Sequence, residues 1–139
     1  MEHEVTVKVQ APVEKVWEVL ADVERWPEWT ASMTKLEVLG DSPLGVGARV
    51  RIKQPGLPAA VMTVDEWQPG DRFRWSTSNP GVRTVADHEL AAQGDGTTAV
   101  TLRLRQTGPA AGLLGLMIGR KARRYVQMEA DGLKAASEA

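Results

Sequence analysis

The chain has 139 residues, 42% of them hydrophobic and 25% charged, enough for one globular domain around a single core and too few for two. Its 17 basic side chains nearly balance 18 acidic ones, so no global field draws it to nucleic acid or to an anionic membrane surface, and any partner must be recognised locally. Cysteine is absent, which excludes disulfides, thiolate nucleophiles and thiolate metal sites.

In HEVTVKVQ, Val5, Val7 and Val9 alternate with polar residues, the period of a strand with one buried face. The same opening, MEHEVTVKVQAP, has neither the basic start nor the apolar run of a secretory signal, and nothing approaches the roughly 20 apolar residues of a membrane span. A soluble, cytoplasmic single domain over residues 1–139, without stable membrane insertion, is therefore expected. Pro12 presets the first turn of a helix, and Val13, Val16, Trp17 and Leu20 follow at i, i+3, i+4 and i+7 along its buried face. Asp22 is placed to cap a second, short helix through Arg25, which Pro27 ends by pushing Trp26 out of the α region.

From Met33 to Thr107, the breakers GDSPLGVG, QPGLP, QPGD, SNPG and QGDG separate strand-like runs, predicting strands at 33–39, 47–54, 59–68, 71–78, 82–93 and 97–107. The last, TTAVTLRLRQT, sets Val100, Leu102 and Leu104 on one face and Thr101, Arg103 and Arg105 on the other. After Gly108-Pro109, residues 110–137 carry helical periodicity without an internal proline, a helix of about 40 Å at roughly 1.5 Å per residue. Its dry stripe runs through Leu114, Ile118, Ala122, Tyr125, Val126 and Leu133.

The order strand, two short helices, six strands and a long terminal helix, together with APVEKVWEVLAD, DVERWPEW and YVQMEADGLKAASE, resembles the START-related helix-grip (SRPBCC) superfamily. Within it, the polyketide cyclase/dehydrase-like branch matches over essentially the whole chain. The resemblance implies an α+β fold: a curved seven-stranded antiparallel sheet wrapped around the C-terminal helix, with a cavity for a hydrophobic molecule between them and two small helices closing one end. It implies less about chemistry, since the fold carries lipid transfer proteins, hormone receptors and aromatase/cyclases alike.

Such a groove gives the two tryptophans of DVERWPEW a purpose. Trp26 and Trp29 either wall the cavity or plug the open end of the sheet with their indole N–H groups bonded to backbone. Phe73 and Trp75 alternate on one strand, and Trp67 shares a face with Thr63 and Asp65 if its strand is regular. Met62, Met117 and Met128 offer adaptable lining or ordinary gap filling.

Polar residues on apolar faces carry more information, because burial without a partner costs roughly 1–3 kcal/mol. His88 lies on the strand face of Ala86 and Leu90, and Glu129 falls four residues after Tyr125 in the helical stripe. His88, Tyr125 and Glu129 are thus the candidate acid/base cluster. The alternative pairs Glu129 with a sheet arginine and leaves His88 at a strand end in water. His3, near the terminus, receives no role. An internal cavity is expected, lined by Trp26, Met62, Trp67 and His88 and by Leu90, Ile118, Tyr125 and Glu129. Trp29, Trp75 and Leu114 are further candidate ligand contacts.

LLGLMIGRKARRYV joins an apolar run to Arg120, Lys121, Arg123 and Arg124, which fits a membrane-surface or phosphate-binding patch, or simply the solvated face of a helix. Gly112, Gly115 and Gly119 weaken the start of that helix, at roughly 1 kcal/mol each against alanine, and mark a way in for a ligand. There is no nucleotide loop, nucleophile elbow or metal-ligand spacing, so neither cofactor nor metal is expected. Three functions remain open: binding of a hydrophobic, lipid- or polyketide-like molecule, polyketide aromatase/cyclase chemistry through the cavity's acid/base residues, and a non-catalytic regulatory or stress-linked interaction role.

Overall fold

A computed structural model describes all of residues 1–139. The strands are β1 (Glu2–Val9), β2 (Lys35–Leu39), β3 (Arg49–Lys53), β4 (Ala60–Gln68), β5 (Arg72–Asn79), β6 (Val82–Ala92) and β7 (Thr98–Thr107). They form one antiparallel sheet in the order β1-β7-β6-β5-β4-β3-β2. Helix α1 (Val13–Ala21) and a 3-10 helix (Val23–Glu28) carry the chain from one edge of the sheet to the other, and α2 (Ala111–Glu138) follows β7 and lies across the inner face. This is the α+β helix-grip fold.

Period-two alternation decides which side chains meet the helix. On β7, Val100 and Leu102 are buried inward, while Arg103 points outward to Glu4 and Glu89. The outer face is a ladder of ion pairs in which Asp87 sits against Arg74, with Arg103 and Arg105 at 3.8 and 3.6 Å. The inner face and α1 supply the core: Val16 and Leu20 of α1 are fully buried beside Val9, Phe73 and Trp26. Each such side chain contributes about 1.5–3 kcal/mol of burial free energy.

Five local readings change. The second short helix does not stop before Pro27 but runs through it as a 3-10 helix. It tolerates the missing N–H because the Trp26 carbonyl accepts from both Trp29 and Thr30, carrying the chain past proline. Asp22 makes no side-chain cap bond and stands 3.8 Å from Arg25. Trp17 is half-buried, its ring packed edge-on against Trp67 at a 5.1 Å centroid separation. His3 is no loose terminus: it is buried on the inner face opposite Leu104.

The fifth change is a β-bulge in β4. Val64 pairs with Trp75, but Glu66, not Asp65, faces Arg74, so Asp65 is the extra residue. A regular strand would set Trp67 beside exposed Thr63; the bulge turns it to the core side and sends Glu66 outward to Arg72 and Arg74.

Candidate functional site

Between the sheet and α2 lies a cavity of about 130 Å³. Its apolar wall comes from Trp75 on β5, Ala86 on β6, Leu102 on β7 and Val126 on α2, all placed there by strand or helix period. Gln54 and Leu57, from the loop after β3, meet Ile118 and Tyr125 of α2 at a half-buried rim. The Tyr125 hydroxyl donates to the Pro55 carbonyl at 2.6 Å, tying that loop to the helix.

His88 and Glu129 both line this cavity, with only 2% and 8% of their surface exposed. The imidazole stacks on Phe73 at a 4.0 Å centroid distance, and Trp26 and Trp75 complete its aromatic surround. Its Nδ1 faces the Phe73 carbonyl at 3.3 Å, so Nδ1 carries the proton and Nε2 is left as an acceptor. That Nε2 stands 3.7 Å from the Glu129 carboxyl, slightly beyond hydrogen-bond range. Burial pushes Glu129 up to about 8. Burial lowers His88 to about 4, against the opposing pull of the Phe73 carbonyl and the Asp87 charge. At neutral pH the site therefore presents a protonated carboxyl beside a neutral imidazole: a proton donor and a proton acceptor within one apolar cavity.

Five of the residues nominated from sequence, Trp75, His88, Ile118, Tyr125 and Glu129, come together at this cavity. Glu129 meets His88, not a sheet arginine, and His88 is sealed from water. Tyr125 spends its hydroxyl on Pro55, so it closes the rim instead of completing the acid/base pair.

The others are placed elsewhere. Trp26 is fully buried behind His88, its indole N–H bonded to the Leu20 carbonyl at 2.9 Å, which makes it the plug of the sheet's open end. Trp29 packs on Trp26 and lays its backbone against Gly132 of α2. Met62 and Leu90 are consumed by the core, Trp67 packs under α1 against Trp17, and Leu114 lies outside the cavity wall.

Gln106 was missed. It follows the alternation of Leu102 and Leu104 and lines the cavity, where its Oε1 is buried without a partner and its Nε2 reaches Thr84 at 3.4 Å. The available signal is a glutamine in register with Val100, Leu102 and Leu104 on the inward face of the strand.

Residues 2–138 match the sequence profile of the family described as "Polyketide cyclase / dehydrase and lipid transport". The chain belongs to this family. Among curated proteins, uncharacterised proteins of Mycobacterium tuberculosis and Mycobacterium bovis are 26% identical over 110 residues, which is 76% of this chain and 66% of those relatives' length. The chain thus spans about two thirds of the relatives that it matches. In fold, it is similar to a hypothetical protein from Helicobacter pylori, with a TM-score of 0.79, 19% identity and coverage of 98% of this chain and 86% of that one. It is also similar to the Zhui aromatase/cyclase from Streptomyces sp. R1128, with a TM-score of 0.77, 22% identity and coverage of 99% and 93%. At these identities, the two likenesses speak for the fold alone. In this member of the polyketide cyclase / dehydrase family, no helix is long and apolar enough to cross a membrane.

Proposed function

We propose that this protein binds a largely apolar small molecule bearing a carbonyl or hydroxyl oxygen, which sits in the cavity with its oxygen against Glu129. The observation that carries this reading is the Glu129 carboxyl, buried in a mostly hydrophobic cavity and just beyond hydrogen-bond range of His88, where burial favours its protonated form and an acceptor oxygen would satisfy it. Size narrows the class. At about 130 Å³, the cavity compares with a roughly 150 Å³ engineered cavity that admits benzene, so it takes one ring or a short chain as it stands. A multi-ring ligand requires the loop carrying Leu57 to swing away from α2. The test is binding of a hydrophobic dye and of single-ring ketones, followed by fluorescence and native mass spectrometry. Ile118→Trp should fill the cavity and abolish binding while leaving the fold intact. Glu129→Gln should weaken ketones more than hydrocarbons of the same shape. A parent that binds none of these, or an Ile118→Trp protein that binds them equally well, overturns the reading.

The His88–Glu129 pair favours a second reading, dehydration of a β-hydroxy ketone during ring formation. The Glu129 O–H would protonate the departing hydroxyl, which leaves as water, while His88 Nε2 takes the proton on the carbon next to the carbonyl and the C=C bond forms. Proton return from the imidazolium to the carboxylate, over the 3.7 Å between them, resets the pair. Aromatase/cyclase chemistry in a fold neighbour is consistent with this step. Turnover of a model β-hydroxy ketone to the enone, abolished by Glu129→Gln even at ketone concentrations that saturate the variant, separates catalysis from carriage; absence of turnover in the parent removes the catalytic reading.

A further inference from the structure

We propose that the exposed face of the first half of α2 docks onto the surface of anionic lipid bilayers. Four large hydrophobic side chains of the protein are strongly exposed, and three of them fall within five residues of this helix: Leu113 at 64%, Leu116 at 87% and Met117 at 73%. Arg120 and Arg124 continue the same face at i+7 and i+11 from Leu113, and Lys121 and Arg123 flank it. An exposed apolar turn leading into a basic turn is the pattern of a helix that lies in a membrane interface, with the leucines among the acyl chains and the arginines at the headgroups.

Charge chooses the occupant. No aspartate or glutamate occurs between Asp95 and Glu129, so nothing on this stretch of chain neutralises the four cations. Five of the seven sheet arginines are matched, Arg51 against Glu37, Arg72 against Glu66, Arg74 and Arg105 against Asp87, and Arg103 against Glu4, while Arg83 bonds to Ser76 and Ser78. The α2 cations are left to an external anion. A symmetric contact with a second copy would gather both copies' cations into one interface with no acidic side chain from this stretch among them, which counts against self-association through this face. A surface rich in negative headgroups satisfies both the apolar and the basic halves at once.

The docked helix would also carry the cavity rim to the bilayer, because Ile118 and Tyr125 belong to the same stretch of α2. A ligand partitioned in the membrane would then pass in beside Leu57 without crossing open water. This consequence rests on the ligand-binding reading; the docking itself does not.

The experiment is co-sedimentation of the full chain with phosphatidylcholine vesicles and with phosphatidylcholine vesicles containing phosphatidylglycerol, at low and high salt, for the parent and two double variants. In Leu116→Ser with Met117→Ser the apolar turn is lost, and in Arg120→Glu with Arg124→Glu the charge is reversed; all four sites are exposed. Expected is parent binding to the anionic vesicles only, weakened by salt, and reduced at least about tenfold by either variant. Both variants should bind hydrophobic dye in the cavity as the parent does, so that loss of docking and loss of the ligand site are told apart. The proposal is overturned if the parent binds neither vesicle, if it binds both equally, or if either variant binds anionic vesicles as the parent does. It is equally overturned if sedimentation shows a dimer that the Leu116→Ser, Met117→Ser protein cannot form, since the face is then a self-interface.

Discussion

A Cβ on Gly132 would lie 2.1 Å from the carbonyl oxygen of Trp29, a contact that backbone on both sides prevents from relaxing. Gly132 is therefore what lets the turn after the 3-10 helix seat against α2. A Cβ on Gly112 would meet nothing within 4 Å. Denaturant titration should find Gly132→Ala destabilised by about 1–3 kcal/mol, the overpacking cost outweighing alanine's helix preference. Gly112→Ala should be neutral or stabilising by up to about 1 kcal/mol. Equal responses at the two positions would show that helix propensity, not the Trp29 approach, governs this helix. Neither glycine differs from the other in sequence, since the approach comes from a segment about a hundred residues distant. By contrast, His88 and Glu129 were legible, because each is a polar residue at an apolar position of a clear period.

Helix α2 divides into two halves with different duties. Its second half buries Glu129, Ala130, Leu133 and Ser137, whereas the first ten residues bury only Ala111 and contain Gly112, Gly115 and Gly119. Amide exchange should accordingly be faster over residues 112–119 than over 125–133, and uniform protection would remove the reason to place ligand passage at the helix start. The Met1 side chain complicates a picture of simple weakness, because its sulfur lies close enough to Gly115 to be 2.9 Å from an added Cβ. Small residues here admit a neighbour from β1's end of the sheet as well as loosening the helix. Across the rim, Tyr125→Phe deletes the bond to Pro55, and exchange of the Leu57 amide should rise while the fold's unfolding midpoint stays nearly unchanged. An unaltered Leu57 amide would show that the loop is held by Lys53, which also donates to the Leu57 carbonyl, and not by the tyrosine.

For the whole molecule, the buried pair makes stability depend on pH in a definite direction. Glu129 rises from 4.5 to about 8 on folding, so between these values the native state keeps a proton that the unfolded chain has lost, and stability falls as pH rises. His88 falls from 6.5 to about 4, so the unfolded state binds the extra proton and stability rises with pH through that lower window. The two oppose each other below pH 6.5, and only Glu129 acts from there to about 8. Unfolding free energy should drop by about 2 kcal/mol across that upper window, and Glu129→Gln should flatten it. A parent profile already flat there would mean that Glu129 is ionised in the native state, removing the proton donor on which the ligand and dehydration readings both depend.

Strand alternation, helical period and the turn residues between them were enough to place all seven strands and both α-helices to within about two residues, because each of these signals is local to the segment that shows it. Inward placement of His88, Ile118 and Glu129 followed from the same periods. What only the tertiary structure decided were features that depend on two segments meeting. The bulge at Asp65 reversed the face of Trp67, the Leu20 carbonyl claimed the Trp26 indole, and the Pro55 carbonyl claimed the Tyr125 hydroxyl. Cavity membership depended likewise on how far α2 stands from each strand: five nominated residues border the open volume, while Met62, Leu90 and Trp26 lie where the core is already filled. Period tells which way a side chain points, and the distance between packed layers decides whether space or another side chain is waiting for it.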